Sequence, residues 1–302
     1  MKRLKILSQK NGLKFNYGKI ENMKEKKEFA KKLIKAGKRI YSQTIEDGVI
    51  ESIFDNIGVT NKYFIEFGAW DGVKFSNTAN LRINEGWSGL LLEGNKERAD
   101  ELDYVSHAFL TAENINDHFE KHNVPKEFDL LSIDLDGNDY WIWKAIDESR
   151  FRPRVVVAEF NCNFPNQFES KAIKYDSDLI STNPSVHYYG ASIPAFKKLG
   201  ESKGYSLICR VNNHNLFFVD TNLLHKDDID IPLELFLNKD GKATKDSPAA
   251  GPDQNKNLHG YDSKLLHDIF YGKNMEPHWN DYADTSINIW WEQRFDKPWI
   301  DV

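Results

Sequence analysis

Acidic side chains at the ends of apolar runs are the residues of this chain best suited to chemistry. Tyr63-Phe-Ile-Glu-Phe-Gly-Ala-Trp-Asp-Gly72 is an apolar run that reaches an acid, Glu66, and then turns through Gly68 and Gly72. Glycines let a backbone come close to a ligand, and an acid at a strand end accepts hydrogen bonds from it. Trp87-Ser-Gly-Leu-Leu-Leu-Glu93 is a second such run. Its acid falls about twenty residues after the turn, where nucleotide-binding α/β folds put the carboxylate that holds ribose hydroxyls. The turn is neither a G-x-x-x-x-G-K-[ST] cradle nor a tight G-x-G-x-x-G, so it offers phosphate no backbone nest. An adenosyl ligand without phosphate, S-adenosylmethionine, suits it better, because its ammonium and ribose hydroxyls call for carboxylates. Taken alone, Glu66, Gly68 and Gly72 read as a plain strand and turn; the pairing with Glu93 favours the cofactor.

A second constellation is Asp129-Leu-Leu-Ser-Ile-Asp-Leu-Asp-Gly-Asn-Asp139, with Asp134, Asp136 and Asp139 at the end of another apolar run. Carboxylates so close repel one another until a cation, a cofactor ammonium or a proton relieves them, and one of them can then serve as a general base. Helix capping accounts for Asn138 and Asp139 and leaves Asp134 unexplained. Val155-Val-Val-Ala-Glu159 adds a further acid on the same expected edge. Asp134, Asp136 and Glu159 form an oxygen donor set suited to Mg2+, which would position and acidify a hydroxyl; carboxylates at strand ends also serve cofactors directly. His187, closing a long Asn/Ser/Pro-containing loop, is a base candidate beside Asp136, with His214 second. A packed, hydrogen-bonded histidine is the alternative for His187.

These residues need elements to hold them. Strand patterns fall at Tyr63–Phe67, Gly89–Glu93, Ala108–Thr111, Phe128–Leu135 and Val155–Phe160, with helical segments near Asn77–Asn84, Lys96–Asp103, Ile115–His122 and Asp139–Ile146. That alternation predicts a parallel sheet covered by helices on both faces. Helical spacing also marks Ile45–Ile57 and Ser192–Lys203, and Tyr205–Arg210 with Asn215–Asp220 predicts a late antiparallel hairpin. Asn161–Val186 is the expected substrate loop.

The 302 residues, 40% of them hydrophobic, suffice for a full core with appendages. No apolar run approaches membrane-spanning length and no h-region follows the basic first residues; with Cys162 and Cys209 in neither metal nor disulfide-framework spacing, the expectation is a cytoplasmic protein. The net charge of −6 conceals an asymmetry: residues 1–39 hold fourteen Lys/Arg against three Glu, and the rest 26 Lys/Arg against 43 Asp/Glu. Residues 1–40 therefore read as a basic helical extension, either docked on an acidic body or making a peripheral contact with an anionic partner. Residues 221–302 read as a C-terminal extension with a flexible 238–262 connection and an aromatic tail from Phe270 to Trp299, suited to packing on the body or on a second copy.

Taken in order, Tyr41-Ser-Gln-Thr-Ile-Glu-Asp-Gly48, Phe64–Gly72, Ser76-Asn-Thr78, Gly86–Glu93, Ser132-Ile-Asp-Leu-Asp-Gly137, Tyr188-Tyr-Gly-Ala-Ser192 and Asn215-Leu-Phe-Phe-Val219 resemble the FkbM-like branch of class I S-adenosylmethionine-dependent methyltransferases over residues 41–220. The resemblance implies a Rossmann-like methyltransferase fold with S-adenosylmethionine as donor. It also implies O-methylation, most often of a sugar, glycan or natural product. By position, Glu66, Gly68 and Gly72 would face the methionine, Glu93 the ribose, and Glu113 or Asn114 the adenine, with Gln43, Glu46, Asn77 and Asp134 as further pocket residues. That family often has Asp-Val-Glu-Gly where this chain has Asp134-Leu-Asp-Gly137. The rival readings are a nucleic-acid methyltransferase, favoured by the basic head and opposed by the acidic body, and a non-catalytic adenosyl-binding protein.

Overall fold

The computed structural model describes residues 26, 28–162, 169–179, 189–212, 214–229, 231–233, 236 and 299–302. His187, the 238–262 connection and the aromatic residues 270–295 lie outside them. Helix α1 covers residues 28–36 and α2 covers Glu46–Ile57. Strands β1 (Tyr63–Phe67), β2 (Ser88–Glu93), β3 (Val105–His107), β4 (Glu127–Ile133) and β5 (Arg152–Glu159) then alternate with α3 (Ala79–Asn84), α4 (Lys96–Asp100), α5 (Ile115–Lys121) and α6 (Asp139–Ala145). A short β6 (Lys171–Ile173), α7 (Ile193–Ser202), and strands β7 (Tyr205–Val211) and β8 (Asn215–Asp220) follow, and β9 (Trp299–Asp301) pairs antiparallel with β6.

The fold is α/β. Seven strands form one sheet in the order β3-β2-β1-β4-β5-β8-β7. The first five are mutually parallel, and β8 is antiparallel both to β5 and to β7. Strands buried on both faces read as continuous apolar runs; Leu130, Leu131, Val155, Val156 and Val157 are fully buried. The sheet's carboxyl edge, where parallel strands of such folds meet their ligands, gathers the ends of β1, β2, β4 and β5.

Two expectations shift. The strand expected at Ala108–Thr111 is instead Val105–His107, registered on Leu91–Glu93. Ala108 still donates its N–H to the Glu93 carbonyl at 2.8 Å, but the next residues enter a turn in which the Asn114 side chain accepts from Thr111 N–H at 2.8 Å. That turn draws them out of the ladder. The helix expected from Asn77 begins at Ala79, because Asn77 and Thr78 are occupied in binding Glu66.

The described part of the basic head is packed against the body. Ala30 and Leu33 on α1 are fully buried, while Lys31, Lys32 and Lys35 are exposed, as an amphipathic surface helix requires. Ile231 and Phe236, beyond the hairpin, are also buried. Among the described residues, no helix is long and apolar enough to cross a membrane.

Candidate functional site

The carboxyl end of β2 carries the best-formed part of the site. Glu93 is nearly buried, and its oxygens accept N–H groups from Trp70 at 2.8 Å and Asn95 at 2.7 Å. Each oxygen retains acceptor capacity after one backbone bond. Trp70 sits in the turn after β1 at φ 51°, with the Arg98 guanidinium 3.4 Å above its ring centre. Asn95 caps α4 by accepting from Arg98 N–H at 3.1 Å. One carboxylate thus ties the β1 turn to the β2 turn.

Glu66 is differently employed. Its Oε2 accepts from the Ser76 and Thr78 hydroxyls, both at 2.6 Å, and its Oε1 from Asn77 N–H at 2.8 Å. Burial raises its pKa above the usual carboxylate value, and these three donors offset part of the shift. Glu66 therefore anchors the 76–78 segment, and the Asn77 amide continues to the Ser132 hydroxyl at 3.1 Å. Gly68 has φ 66°, and a Cβ there would lie 1.7 Å from the Asp134 carbonyl oxygen. Its close approach is to the β4 end of the protein itself. Gly72, also at φ 66°, packs against Leu91 and Tyr104.

Glu46, fully buried, accepts from Thr44 N–H at 2.8 Å and hydroxyl at 2.9 Å, and from the Asn215 amide at 3.3 Å. Gln43 is half-buried and comes to the loop after β1 through a bridge between Ser42 and Phe75. Asn114 is used in its own turn, donating to the Phe109 carbonyl at 2.9 Å. Glu113 is exposed and takes a hydrogen bond from the Tyr175 hydroxyl, which holds its carboxyl below the usual range.

At the ends of β4 and β5 the structure brings Asp134, Asp136 and Glu159 together, with one oxygen of each within 4.8 Å of the others. The cause is register: Ile133 lies opposite Ala158 on the neighbouring parallel strand, so the next residues, Asp134 and Glu159, face each other. Asp136 is exposed at φ 51°, Asp134 is half-buried and Glu159 is buried. Desolvation, then repulsion from Asp136 and Asp139 and, for Asp134, from Glu159, push Asp134 and Glu159 well above ordinary values, and a hydrogen bond with Asp134 offsets part of the Glu159 shift. Asp139 is a helix-end acceptor, taking Leu135 N–H at 2.8 Å and Gly137 N–H at 3.0 Å; burial still lifts it to about 6.

Two residues that sequence reasoning underweighted reach this cluster. His214, in the β7–β8 turn, places Nδ1 4.0 Å from Glu159 Oε1. Tyr189 lies close enough to Glu159, Asp136 and Asp134 that burial, the adjacent Cys162 and then these acids drive its hydroxyl far above the usual value. The nearby Cys162 thiol, half-buried, is pushed up to about 12 by desolvation and then by Glu159, so it remains protonated. Tyr189 is brought in by Asn161, whose amide donates to its carbonyl at 3.1 Å, and by Gly190 N–H, which binds the Gly137 carbonyl at 2.7 Å. Gly190, at φ 52°, is the one sequence signal that could have drawn attention to this crossing.

The raised acids make stability depend on pH in a direction that can be checked. A carboxylate whose folded pKa exceeds its unfolded one binds more protons in the folded state, so its contribution declines as pH rises from the unfolded value to the folded one. For Glu159 the decline starts near the ordinary value of 4.5. In chelator, Glu159→Gln is expected to gain on the parent by up to about 1.4 kcal/mol per pH unit above that point. Urea unfolding of both proteins between about pH 5 and 8 measures the margin; a constant margin would show that Glu159 is not charge-strained.

A scan against protein-family models gives no match for this chain, and a search of curated proteins returns none.

Proposed function

We propose that the chain is an S-adenosylmethionine-dependent O-methyltransferase acting on a hydroxyl of a sugar, glycan or natural-product acceptor. The observation that carries this reading is Glu93, a carboxylate fixed by two backbone amides at the end of β2 with acceptor capacity to spare. It stands on the ligand edge of a sheet in which an antiparallel strand is inserted between β5 and β7. The residues fit the cofactor's chemistry: Glu93 keeps acceptor capacity for ribose hydroxyls, and the carboxylates along this edge favour a cationic ligand over a phosphate.

Bound there, S-adenosylmethionine would supply an electrophilic methyl group. Glu93 would accept ribose hydroxyls, while the Gly68–Gly72 turn, held by Glu66 through the 76–78 segment and by the Trp70 bond to Glu93, would frame the methionine end. Much of the barrier to in-line transfer is entropic, so a rigid edge is a large part of what the chain provides. Asp136, exposed on that edge, and His214 beside Glu159 are the groups suited to receive the acceptor proton.

The test is calorimetric titration with S-adenosylmethionine and S-adenosylhomocysteine in EDTA. Micromolar binding is expected, and Glu93→Ala should weaken it by roughly 1–3 kcal/mol, the range for losing a charged hydrogen-bond partner. No binding of either compound to folded protein would overturn the reading, and unchanged affinity in the variant would remove Glu93 from the ribose.

A further inference from the structure

We infer that Asp134, Asp136 and Glu159 bind one divalent, oxygen-preferring cation of the Mg2+, Mn2+ or Ca2+ class. Three carboxylate oxygens lie within 4.8 Å of one another. Oxygens on opposite sides of a cation are separated by twice the metal–oxygen distance, about 4.2 Å for Mg2+ and about 4.8 Å for Ca2+. A spread of up to 4.8 Å fits one Ca2+ shell as the side chains stand, and for Mg2+ the carboxylates need close by about 0.6 Å at most, a rotation of side chains that leaves the strands in place. Two of its members stand on adjacent parallel strands whose register fixes their separation.

A second observation asks for a ligand here. Glu159 is only 8% exposed, yet its Oε2 receives no hydrogen bond among the described residues. Its register partner on β8, Asn215, is 3% exposed and its Oδ1 is likewise without a donor, while its Nδ2 is used on Glu46. Register partners leave the sheet on the same side, so two buried acceptors share this face. Buried acceptors are nearly always satisfied, and a cation satisfies a carboxylate that no N–H reaches.

The donor chemistry selects the class. All three ligands are carboxylates, with no thiolate or imidazole in the set, which suits hard cations over zinc or copper. Asp136 is exposed at the rim, so a cation can reach the site from solvent. Use of the cation to hold and acidify an acceptor hydroxyl rests on the methyltransferase reading; binding of the cation does not.

The experiment is Mn2+ titration of the whole protein without any adenosyl compound, following free Mn2+ by electron paramagnetic resonance, with Ca2+ and Mg2+ as competitors. One Mn2+ per chain is expected with a dissociation constant below about 1 mM, and at least roughly tenfold weaker binding in Glu159→Gln and in Asp134→Asn, since each loses one charged ligand. Saturating Ca2+ should raise the melting temperature of the parent and leave that of Glu159→Gln unmoved. Circular dichroism of the variants establishes that they are folded. No Mn2+ bound at about 1 mM, or parent-like binding in both variants, would overturn the proposal. So would loss of S-adenosylmethionine binding in Glu159→Gln with no Mn2+ bound by the parent, which would assign the cluster to the cofactor ammonium. Mn2+ binding without S-adenosylmethionine binding would uphold the cation site and reject the methyltransferase.

Discussion

Gly68→Ala is expected to cost about 4 kcal/mol or more of folding stability, at the diagnostic end of single-residue effects. The added Cβ would stand 1.7 Å from the Asp134 carbonyl oxygen, a backbone atom with no rotamer to change. Relief requires the carboxyl ends of β1 and β4 to part. Left-handed backbone adds about 1–2 kcal/mol for any residue with a Cβ, and Gly86 isolates that part: it has φ 69° and nothing within 4 Å of a built Cβ. Gly86→Ala should therefore show the conformational cost alone, and the difference between the two urea midpoints reports the clash. Because Asp134 is the atom's owner, Gly68→Ala should also weaken Mn2+ binding, whereas Gly86→Ala should leave it intact. Equal destabilisation by the two substitutions would mean that the β1–β4 approach is looser than the structure has it.

The opposite end of the same strand pair carries the second large effect. Asp129 is fully buried and accepts from Thr60 N–H and hydroxyl, Asn61 N–H, Lys62 N–H and the Arg154 guanidinium at 2.7 Å. Burial alone would raise its pKa, but Arg154 and the Thr60–Lys62 donors outweigh it and hold the carboxyl below 3.8. Asp129→Ala leaves a turn of amides without an acceptor and Arg154 without its counter-charge, its guanidinium keeping only the Gly58 and Ile57 carbonyls, and about 3–5 kcal/mol is expected, as for breaking a buried ion pair. Arg154→Met should cost less, since the amides still satisfy Asp129. Stability from a depressed carboxylate is present above its unfolded pKa and is lost as pH falls through the folded one. Asp129 thus resists acid only down to its own titration, and Asp129→Ala should flatten the profile below about pH 4. A cost below about 1 kcal/mol, within the range of an exposed pair, would show that Asp129 is solvated in solution.

Most of the framework was legible because it is local. Apolar runs of strand length, acids at their ends and helical spacing between them are properties of neighbouring residues, and they located β1, β2, β4, β5, α2 and the β7–β8 hairpin within a few positions. Val105–His107 was missed because three residues with one buried side chain give no period to read. Pairing between β6 and β9 joins residues far apart in the chain, which no local pattern encodes.

The sequence by itself determined that Glu93, Asp134 and Glu159 end strands of a parallel sheet, because chain direction in such a sheet sends strand ends to one edge. What each acid does there was decided by tertiary structure. Glu66 is spent on Ser76, Asn77 and Thr78 because the segment after the turn folds back over β1. Asp134 and Glu159 meet because β4 and β5 are neighbours in register, and His214 and Tyr189 join them because a hairpin turn and a crossing segment arrive at that edge from elsewhere. Carboxylate chemistry depends on distance and burial, and those are fixed only when strands choose their neighbours.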